Sequence, residues 1–120
     1  MAKPTGPTTL ELKNLIIELK KLSNKQKVNI WKRVAEDLEK STRKRREVNI
    51  YKISRYTKKD EIALVPGKVL SVGDLDKNIT IAAYQFSERA KEKIDKIGKS
   101  ISIKELIKSN PKGKKIRIIG

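Results

Sequence analysis

The sequence predicts one mixed α/β unit in which a helical N-terminal part precedes a strand-rich core. Apolar residues recur at helical spacing from Leu12 to near Lys40. From Glu61 onward, short apolar runs alternate with turn signals and two further amphipathic helices. A length of 120 residues suits a single domain. Within it we separate residues 1–46, an arm with a helical hairpin and a basic linker, from residues 47–120, a β/α core.

The N-terminal part is predicted to be two helices joined by a short break. Residues 8–11, Thr-Thr-Leu-Glu, form a capping box, and the first helix is expected to end near Leu22. Residues 23–26 provide the break and a second capping box, and apolar positions across residues 28–38 mark the second helix. Residues 1–8 contain two prolines and a glycine and are expected to form an extended arm, either frayed or ordered by a partner.

The helical pair is compatible with a structural αα-hairpin and with a DNA-binding helix-turn-helix. A DNA-reading second helix presents polar or basic side chains to base edges. The predicted solvent-exposed face of the second helix carries Glu36, Asp37 and Glu39, which repel phosphate. We therefore favour the structural hairpin. Trp31 lies on the apolar stripe and is expected in the core, where it does not serve as a platform for base stacking.

The core is predicted to contain several short strands. Val48 to Ile50 begins the sheet-bearing part, and the later strands are residues 61–65, 68–72, 79–86 and 115–119. A Pro66-Gly67 turn is expected to separate the first two of these, and residues 73–78 are expected to form a polar loop. Residues 79–86 have apolar side chains on both faces, which predicts a strand covered on both sides.

Two helices are predicted between the later strands. Ser87 caps the first, and Gly98 is expected to end it in the manner of a C′ glycine. Three of its residues are expected to face the core: Ala90, Ile94 and Ile97. Residues 102–105, Ser-Ile-Lys-Glu, form a capping box that opens a short second helix, and residues 110–113 stop it.

The net charge predicts an anionic partner. Lys and Arg total 30 against 14 Asp and Glu, which gives +16, with +8 on each side of residue 46. Such self-repulsion is tolerated when a partner neutralises it. Nucleic acid fits better than a membrane, since no helix has a strongly apolar, aromatic face and no apolar run approaches 20 residues. The absence of cysteine and of an N-terminal apolar segment favours an intracellular location.

The sequence lacks the usual catalytic residue types. Without His and Cys, the common general base, thiol nucleophile and zinc ligands are missing. The clustered acids are Asp60-Glu61 and the pair Asp74 and Asp76, which are candidates for magnesium in a nuclease. Both pairs adjoin turn signals, where acids serve local hydrogen bonding. We therefore expect neither an enzyme nor a bound metal, cofactor or small-molecule substrate.

The most informative segment is residues 40–59, with nine basic residues and one acid, Glu47. Duplex RNA is held mainly through phosphates and shape, and Arg is favoured where a forked donor bridges phosphate oxygens. A second basic segment runs from Lys108 to the end without an acid. Tyr51 or Tyr56 either stacks on an unpaired base or is half-buried. The predicted RNA-binding residues are Lys40, Arg43, Lys44, Arg45, Arg46, Lys52, Arg55, Tyr56, Lys58, Lys59, Lys68, Lys112, Lys114, Lys115 and Arg117.

Five short motifs occur together in this chain. They are Val-Asn-Ile at 48–50, Arg-Tyr-Thr at 55–57, Val-Pro-Gly-Lys-Val-Leu at 65–70, Ala-Ala-Tyr-Gln-Phe-Ser at 82–87 and Asn-Pro-Lys-Gly at 110–113. With them the chain resembles the L-eighteen-e family of archaeal and eukaryotic large-subunit ribosomal proteins, relatives of the bacterial L-fifteen proteins. It departs from the family pattern at Val72, where a small residue is usual, and at Gly98-Lys99, where glycines are paired.

The resemblance implies a non-catalytic protein of the cytoplasmic ribosome. Its partners would be large-subunit ribosomal RNA and neighbouring ribosomal proteins, without membrane contact. It also implies N-terminal helices followed by an irregular β-β-α superhelical core with short strands. The alternative from the residues themselves is a free nucleic-acid-coating or chromatin-type protein. That alternative predicts sequence-tolerant, strongly salt-dependent binding to DNA.

Overall fold

A computed structural model describes residues 10–39 and 46–119, and for Arg46 it describes the backbone alone. The elements in chain order are α1 (Leu10–Gln26), α2 (Asn29–Glu39), β1 (Arg46–Asn49), α3 (Ile50–Tyr56), β2 (Ile62–Leu70), β3 (Thr80–Phe86), α4 (Glu88–Ile97), β4 (Lys99–Ser102), α5 (Ile103–Ser109) and β5 (Ile116–Ile118). This confirms the predicted class, a mixed α/β fold with an N-terminal helical hairpin. Within these residues, every helix is too short or too polar to cross a membrane.

The five strands form a parallel sheet centred on β2. The order is β1-β2-β3-β4, and β5 also pairs with β2. β3 runs along one side of β2 for almost its whole length. On the other side, β5 pairs with residues 62–64 and β1 pairs with residues 67–70. β5 and β1 therefore lie end to end and together form one edge of the sheet.

Helices cover both faces of the sheet, as parallel strands require. On one face, α1, α2 and α5 form an apolar cluster with the sheet that includes Trp31, Leu64 and Leu106. On the other face, α3 and α4 form a second cluster that includes Ile53 and Ile94. β3 contributes to both, and this confirms the prediction that its two faces are covered.

The α1–α2 link differs from the prediction. Residues 23–26 are helical, and α1 ends at Gln26, four residues later than expected. The hydroxyl of Ser23 donates to the Val28 carbonyl (2.7 Å), so this serine closes the first helix and does not cap the second. Lys27 makes the turn with φ 55°. The predicted capping box at residues 8–11 falls partly outside the described residues, and the arm falls wholly outside them.

The predicted Pro66-Gly67 turn is wrong, because both residues lie inside the nine-residue strand β2. The pairing with β3 shifts register between Val65 and Lys68, which marks a β-bulge. A bulge accommodates proline because it interrupts the ladder where proline has no N–H to donate. The two predicted strands are thus one strand, and the bulge separates the part that pairs with β5 from the part that pairs with β1.

Two short elements were not predicted. α3 has seven residues and β4 has four, too few to establish a period in the sequence. α3 links two parallel strands, β1 and β2, and its position is set by contacts with residues distant in sequence. The loop before β3 and the closing strand β5 agree with the predictions, and the sheet begins close to the predicted place, at Arg46, although Ile50 already belongs to α3.

The α4 helix begins as predicted and ends differently. The Ser87 hydroxyl accepts from the N–H of Ala90 (3.2 Å), and Ala90 and Ile94 are buried. Ile97 is 47% exposed, contrary to the prediction, since it lies at the helix end beyond the sheet contact. Gly98 has φ −126°, so it is not the expected left-handed C′ residue. Glycine is needed there because an added Cβ would lie 2.2 Å from the carbonyl oxygen of Ile79.

The last helix and the turn after it follow the prediction. The Ser102 hydroxyl accepts from the Glu105 N–H (3.1 Å) and caps α5. Trp31 is fully buried, as expected, and its Nε1 donates to the carbonyl of Pro111 (2.7 Å). This bond ties the turn before β5 to the helical hairpin.

Replacing Gly98 by Ala should destabilise the protein by about 1–3 kcal/mol, because the new methyl group collides with the Ile79 carbonyl where α4 enters β4. Chemical denaturation measures the loss. Lys99→Ala, at the adjacent exposed position, should change the free energy of unfolding by less than about 0.5 kcal/mol. Equal effects of the two substitutions would contradict this account of Gly98.

Candidate nucleic-acid interface

The basic residues of the chain are concentrated in three segments. Residues 40–46, 50–59 and 108–120 contain five, four and five Lys or Arg residues and no Asp or Glu. The rest of the chain is close to neutral, with sixteen basic and fourteen acidic residues. The residues before and after position 46 carry the same net charge, but the excess of positive charge is concentrated in these three segments. Their positions in the molecule depend on the fold.

The described parts of these segments include the first residue of β1, the helix α3 and the strand β5, and β1 and β5 lie on the same side of β2. β5 ends with Ile118 opposite Leu64, and β1 begins with Arg46 opposite Gly67, on the same side of β2. Arg46 thus marks the point at which residues 40–45, which lie outside the described residues, join the sheet. We call the surface made by β1, β5 and α3 the basic edge.

α3 displays the middle segment. Its Ile50 and Ile53 are fully buried against the sheet, whereas Arg55 and Tyr56 are exposed and Lys52 is partly so. The guanidinium of Arg55 lies over the Tyr56 ring, 5.9 Å from its centroid, within the range of a cation–π contact. A short amphipathic helix therefore turns two basic side chains and an aromatic ring outward.

The loop after β2 holds α3 in place. The Tyr51 N–H donates to the Val72 carbonyl (3.1 Å) near the start of the helix. At the other end, the Lys77 ammonium donates to the carbonyls of Ser54 (2.7 Å) and Thr57 (3.0 Å). These bonds satisfy carbonyl groups that a helix end leaves without a partner. The position of the exposed face of α3 is therefore fixed from both ends.

A second lysine performs a similar structural role. The Lys93 ammonium donates to the carbonyls of Ser71 (2.9 Å) and Gly73 (3.0 Å) and lies 3.8 Å from a carboxylate oxygen of Asp74. Lys77 and Lys93 thus belong to the fold and are not free cations for a ligand. Their sequence context does not distinguish them from exposed lysines, and sequence reasoning missed their role.

α3 and β5 enclose a groove of about 250 Å³. Its lining residues are Lys52, Tyr56, Arg117, Ile118 and Ile119. Three of these were predicted binding residues: Lys52, Tyr56 and Arg117. Arg117 is more than sixty residues from the other two in the sequence. The sheet brings them together because β5 returns to pair beside the helix that follows β1.

Arg117 is oriented by an ion pair at the beginning of β2. Its Nε donates to both carboxylate oxygens of Glu61, at 3.0 and 3.2 Å. Glu61 also accepts from the backbone N–H of Lys58 (2.8 Å). The Arg117 hydrogen bond, followed by that of the Lys58 N–H, lowers the pKa of Glu61, and the same carboxylate raises the pKa of Arg117. Arg117 therefore remains charged and held in position.

Five other predicted residues lie near the beginnings of β2 and β5 and are exposed: Lys58, Lys59, Lys112, Lys114 and Lys115. The turn that carries three of them is closed by Asn110, whose Nδ2 donates to the Lys114 carbonyl (2.8 Å) and whose Oδ1 accepts from the Lys114 N–H (3.2 Å). The Lys115 ammonium lies 4.0 Å from Asp60. These cations extend the basic edge beyond the groove.

Lys68 is not brought into this group. Val69 packs in the cluster under α3 and α4, and neighbouring residues of a strand point to opposite faces. Lys68 is therefore exposed on the face that carries α1 and α2. The remaining predictions fall outside the described residues: Lys40, Arg43, Lys44 and Arg45, together with the side chain of Arg46.

The acidic pairs have local structural roles. Asp76 accepts from the Ser54 hydroxyl, and this bond lowers the pKa of its carboxyl. Glu61 holds Arg117, and Asp60 faces Lys115. Across residues 10–39 and 46–119, no three His, Cys, Asp or Glu side chains are grouped so as to hold a metal ion.

Comparison with known proteins relates most of the chain to one family. A family model that describes the ribosomal proteins 50S-L15 and 50S-L18e together with a protein of the 60S subunit matches residues 16–102. A protein of Methanococcus maripaludis named "Large ribosomal subunit protein eL18" is 49% identical over 116 residues, which covers 96% of this chain and 94% of the relative. The chain belongs to this ribosomal protein family.

Two further relatives with the same name support this membership. The protein of Sulfurisphaera tokodaii is 44% identical over 99% of this chain and 98% of its own length. That of Haloarcula marismortui is 43% identical over 93% of this chain and 97% of its own length. The family assignment made from the five motifs is confirmed. Membership also confirms that the protein is structural and non-enzymatic.

Glu61→Gln should make the stability of the protein less dependent on pH in the acidic range. Because the folded-state pKa of Glu61 lies below its ordinary value of 4.5, its ion pair contributes fully above that value. The contribution is lost as the pH falls through the lowered pKa. Denaturant titrations should show that the native protein is more stable than Glu61→Gln at neutral pH. The difference in free energy of unfolding between the two proteins should shrink below pH 4.5.

The matched control is Asp60→Asn, which removes a charge at the adjacent position, where both partners are more than two-thirds exposed. Exposed pairs contribute little, so this variant should follow the native pH profile closely. The role assigned to Glu61 would be contradicted if the difference in free energy of unfolding between the native protein and Glu61→Gln grew as the pH fell. It would also be contradicted if the two variants showed the same pH dependence of stability.

Proposed function

We propose that the protein is a structural constituent of the large subunit of the cytoplasmic ribosome and binds ribosomal RNA along its basic edge. The observation that carries this proposal is the arrangement of charge. Three segments contain fourteen basic and no acidic residues, while the rest of the chain is nearly neutral, and the described parts of these segments include residues of β1, α3 and β5. Family membership supports a ribosomal role.

The geometry of the basic edge suits phosphate binding. Structured RNA is recognised through its phosphates, hydroxyls and shape, which calls for cations on a rigid frame. Lys52 and Arg55 lie on a helix fixed at both ends, and Arg117 is oriented by Glu61. Such side chains lose less conformational freedom on binding than solvated ones do.

The opposite face of the molecule suits a different kind of neighbour. α1 and α5 enclose a groove of about 290 Å³, lined in part by Glu11, Glu18 and the apolar residues Leu15 and Ile103. The groove holds two carboxylates and one lysine, Lys104, so its own charge does not favour a phosphate. We assign the RNA side to the basic edge and the side of α1 to neighbouring ribosomal proteins.

Co-sedimentation tests the ribosomal role. The protein should remain with large subunits through a high-salt wash, because a structural constituent is held by many simultaneous contacts. Recovery in the soluble fraction alone would contradict the proposal. Preference for duplex DNA over folded large-subunit RNA fragments would favour a free nucleic-acid-coating protein instead.

Replacing Arg43, Arg45 and Arg46 together by Ala should weaken RNA binding and reduce the slope of log K against log salt by about three, one for each phosphate that an arginine neutralises. The free energy of unfolding should change by less than about 1 kcal/mol, as for most surface changes. Filter binding across a salt series and thermal unfolding measure the two effects.

The matched control removes the same charge from α1. Lys13, Lys21 and Lys25 are exposed on α1, and their joint replacement by Ala should leave the salt slope nearly unchanged. If both triple variants lowered the slope equally, net charge alone would govern binding, and the basic edge would have no special role.

A further inference from the structure

The groove between α3 and β5 has the composition of a site for one planar ring next to an anion. One wall is the phenol ring of Tyr56, which is 54% exposed. Ile118 and Ile119 supply an apolar surface, and Lys52 and Arg117 supply positive charge. A volume of about 250 Å³ lies below the roughly 300–1,000 Å³ of sites for larger small molecules.

We propose that this groove holds a single unpaired nucleotide of RNA, with its base stacked on Tyr56 and its phosphate near Lys52 and Arg117. The inference rests on the proposed RNA binding and specifies what one part of the basic edge recognises. A paired base keeps its faces inside the helical stack, whereas an unpaired base offers a face to an aromatic side chain. The small groove therefore selects an unpaired nucleotide over a duplex.

The ring of Tyr56 is prepared for stacking. The guanidinium of Arg55 lies over the ring, 5.9 Å from its centroid, and in the proposed site the base stacks on the opposite face. Aromatic stacking tolerates any base because each has a π-face. The site thus selects an unpaired nucleotide without requiring a particular base.

The cations of the groove are available to a phosphate. Among the described residues, the hydrogen bonds of Arg117 use its Nε alone. Its terminal amino groups therefore remain available as donors, and Glu61 holds the guanidinium in place. Lys52 is four residues before Tyr56 on α3, so the two side chains lie on the same helix face.

The chain provides a matched control for the aromatic contact. Tyr51 lies on the same helix and is 53% exposed, against 54% for Tyr56, but it does not line the groove. The Cβ of Tyr51 lies 2.5 Å from the position that a Cβ on Gly73 would occupy. Tyr51 therefore packs against the loop after β2, and the two tyrosines differ in location while sharing residue type and exposure.

The test compares two RNA duplexes of one sequence, one fully paired and one with a single bulged 2-aminopurine nucleotide. The native protein should bind the bulged RNA about tenfold more tightly, in line with the contribution of one stacked base. Binding should also quench the 2-aminopurine fluorescence. Tyr56→Ala should abolish the preference and the quenching, whereas Tyr56→Phe and Tyr51→Ala should retain both.

The outcomes separate this inference from the proposed function. Equal, salt-dependent binding of both RNAs by the native protein would overturn the nucleotide site and leave RNA binding intact. Failure to bind either RNA would also overturn the nucleotide site, whereas the proposed function is overturned only by the co-sedimentation test. Loss of the preference in Tyr51→Ala but not in Tyr56→Ala would place the stacking contact outside the groove. Thermal unfolding of each variant verifies that a weakened preference does not come from an unfolded protein.

Discussion

The structure depends on the parallel pairing of β2 with strands on both of its sides. β3 lies on one side, while β5 and β1 share the other, and the bulge at Pro66-Gly67 separates their two sections. A parallel strand paired in this way is covered on both faces, which explains the helical layers and the two apolar clusters. The same pairing brings β5 and β1 to one edge of the sheet beside α3, so the pairing that builds the core also positions the groove between α3 and β5.

A net charge of +16 is accommodated by dividing the cations between two roles. Lys77 and Lys93 donate to backbone carbonyls and hold the loop after β2 against α3 and α4. Arg117 combines the two features, since it forms an ion pair with Glu61 and also lines the groove between α3 and β5. The remaining excess lies in segments without acids, and these are the segments in which the proposed RNA partner would neutralise it. Residue type alone therefore does not distinguish a structural lysine from an exposed one in this chain, whereas the hydrogen-bond partners of Lys77 and Lys93 do.

Features set by local interactions were predictable from the sequence. The serine caps of α4 and α5 depend on residues three positions apart, and both form as expected. The covered strand β3 and the buried Trp31 follow from apolar patterns. Two of the errors occur where contacts between distant segments override local signals. Pro66-Gly67 becomes a bulge because β2 is paired on both sides, and Gly98 is required by a carbonyl on another segment.

The sequence by itself determined the class of fold, the non-catalytic character, the family and the residue types suited to a polyanion, because these follow from composition, local pattern and motif. Only the tertiary structure decided which residues act together. Lys52 and Tyr56 line one groove with Arg117 because β5 pairs with β2 on the edge that it shares with β1. Lys68, in contrast, is directed to the other face of the sheet by strand alternation. Such placements arise from strand pairing between distant segments, and a linear pattern does not contain that information.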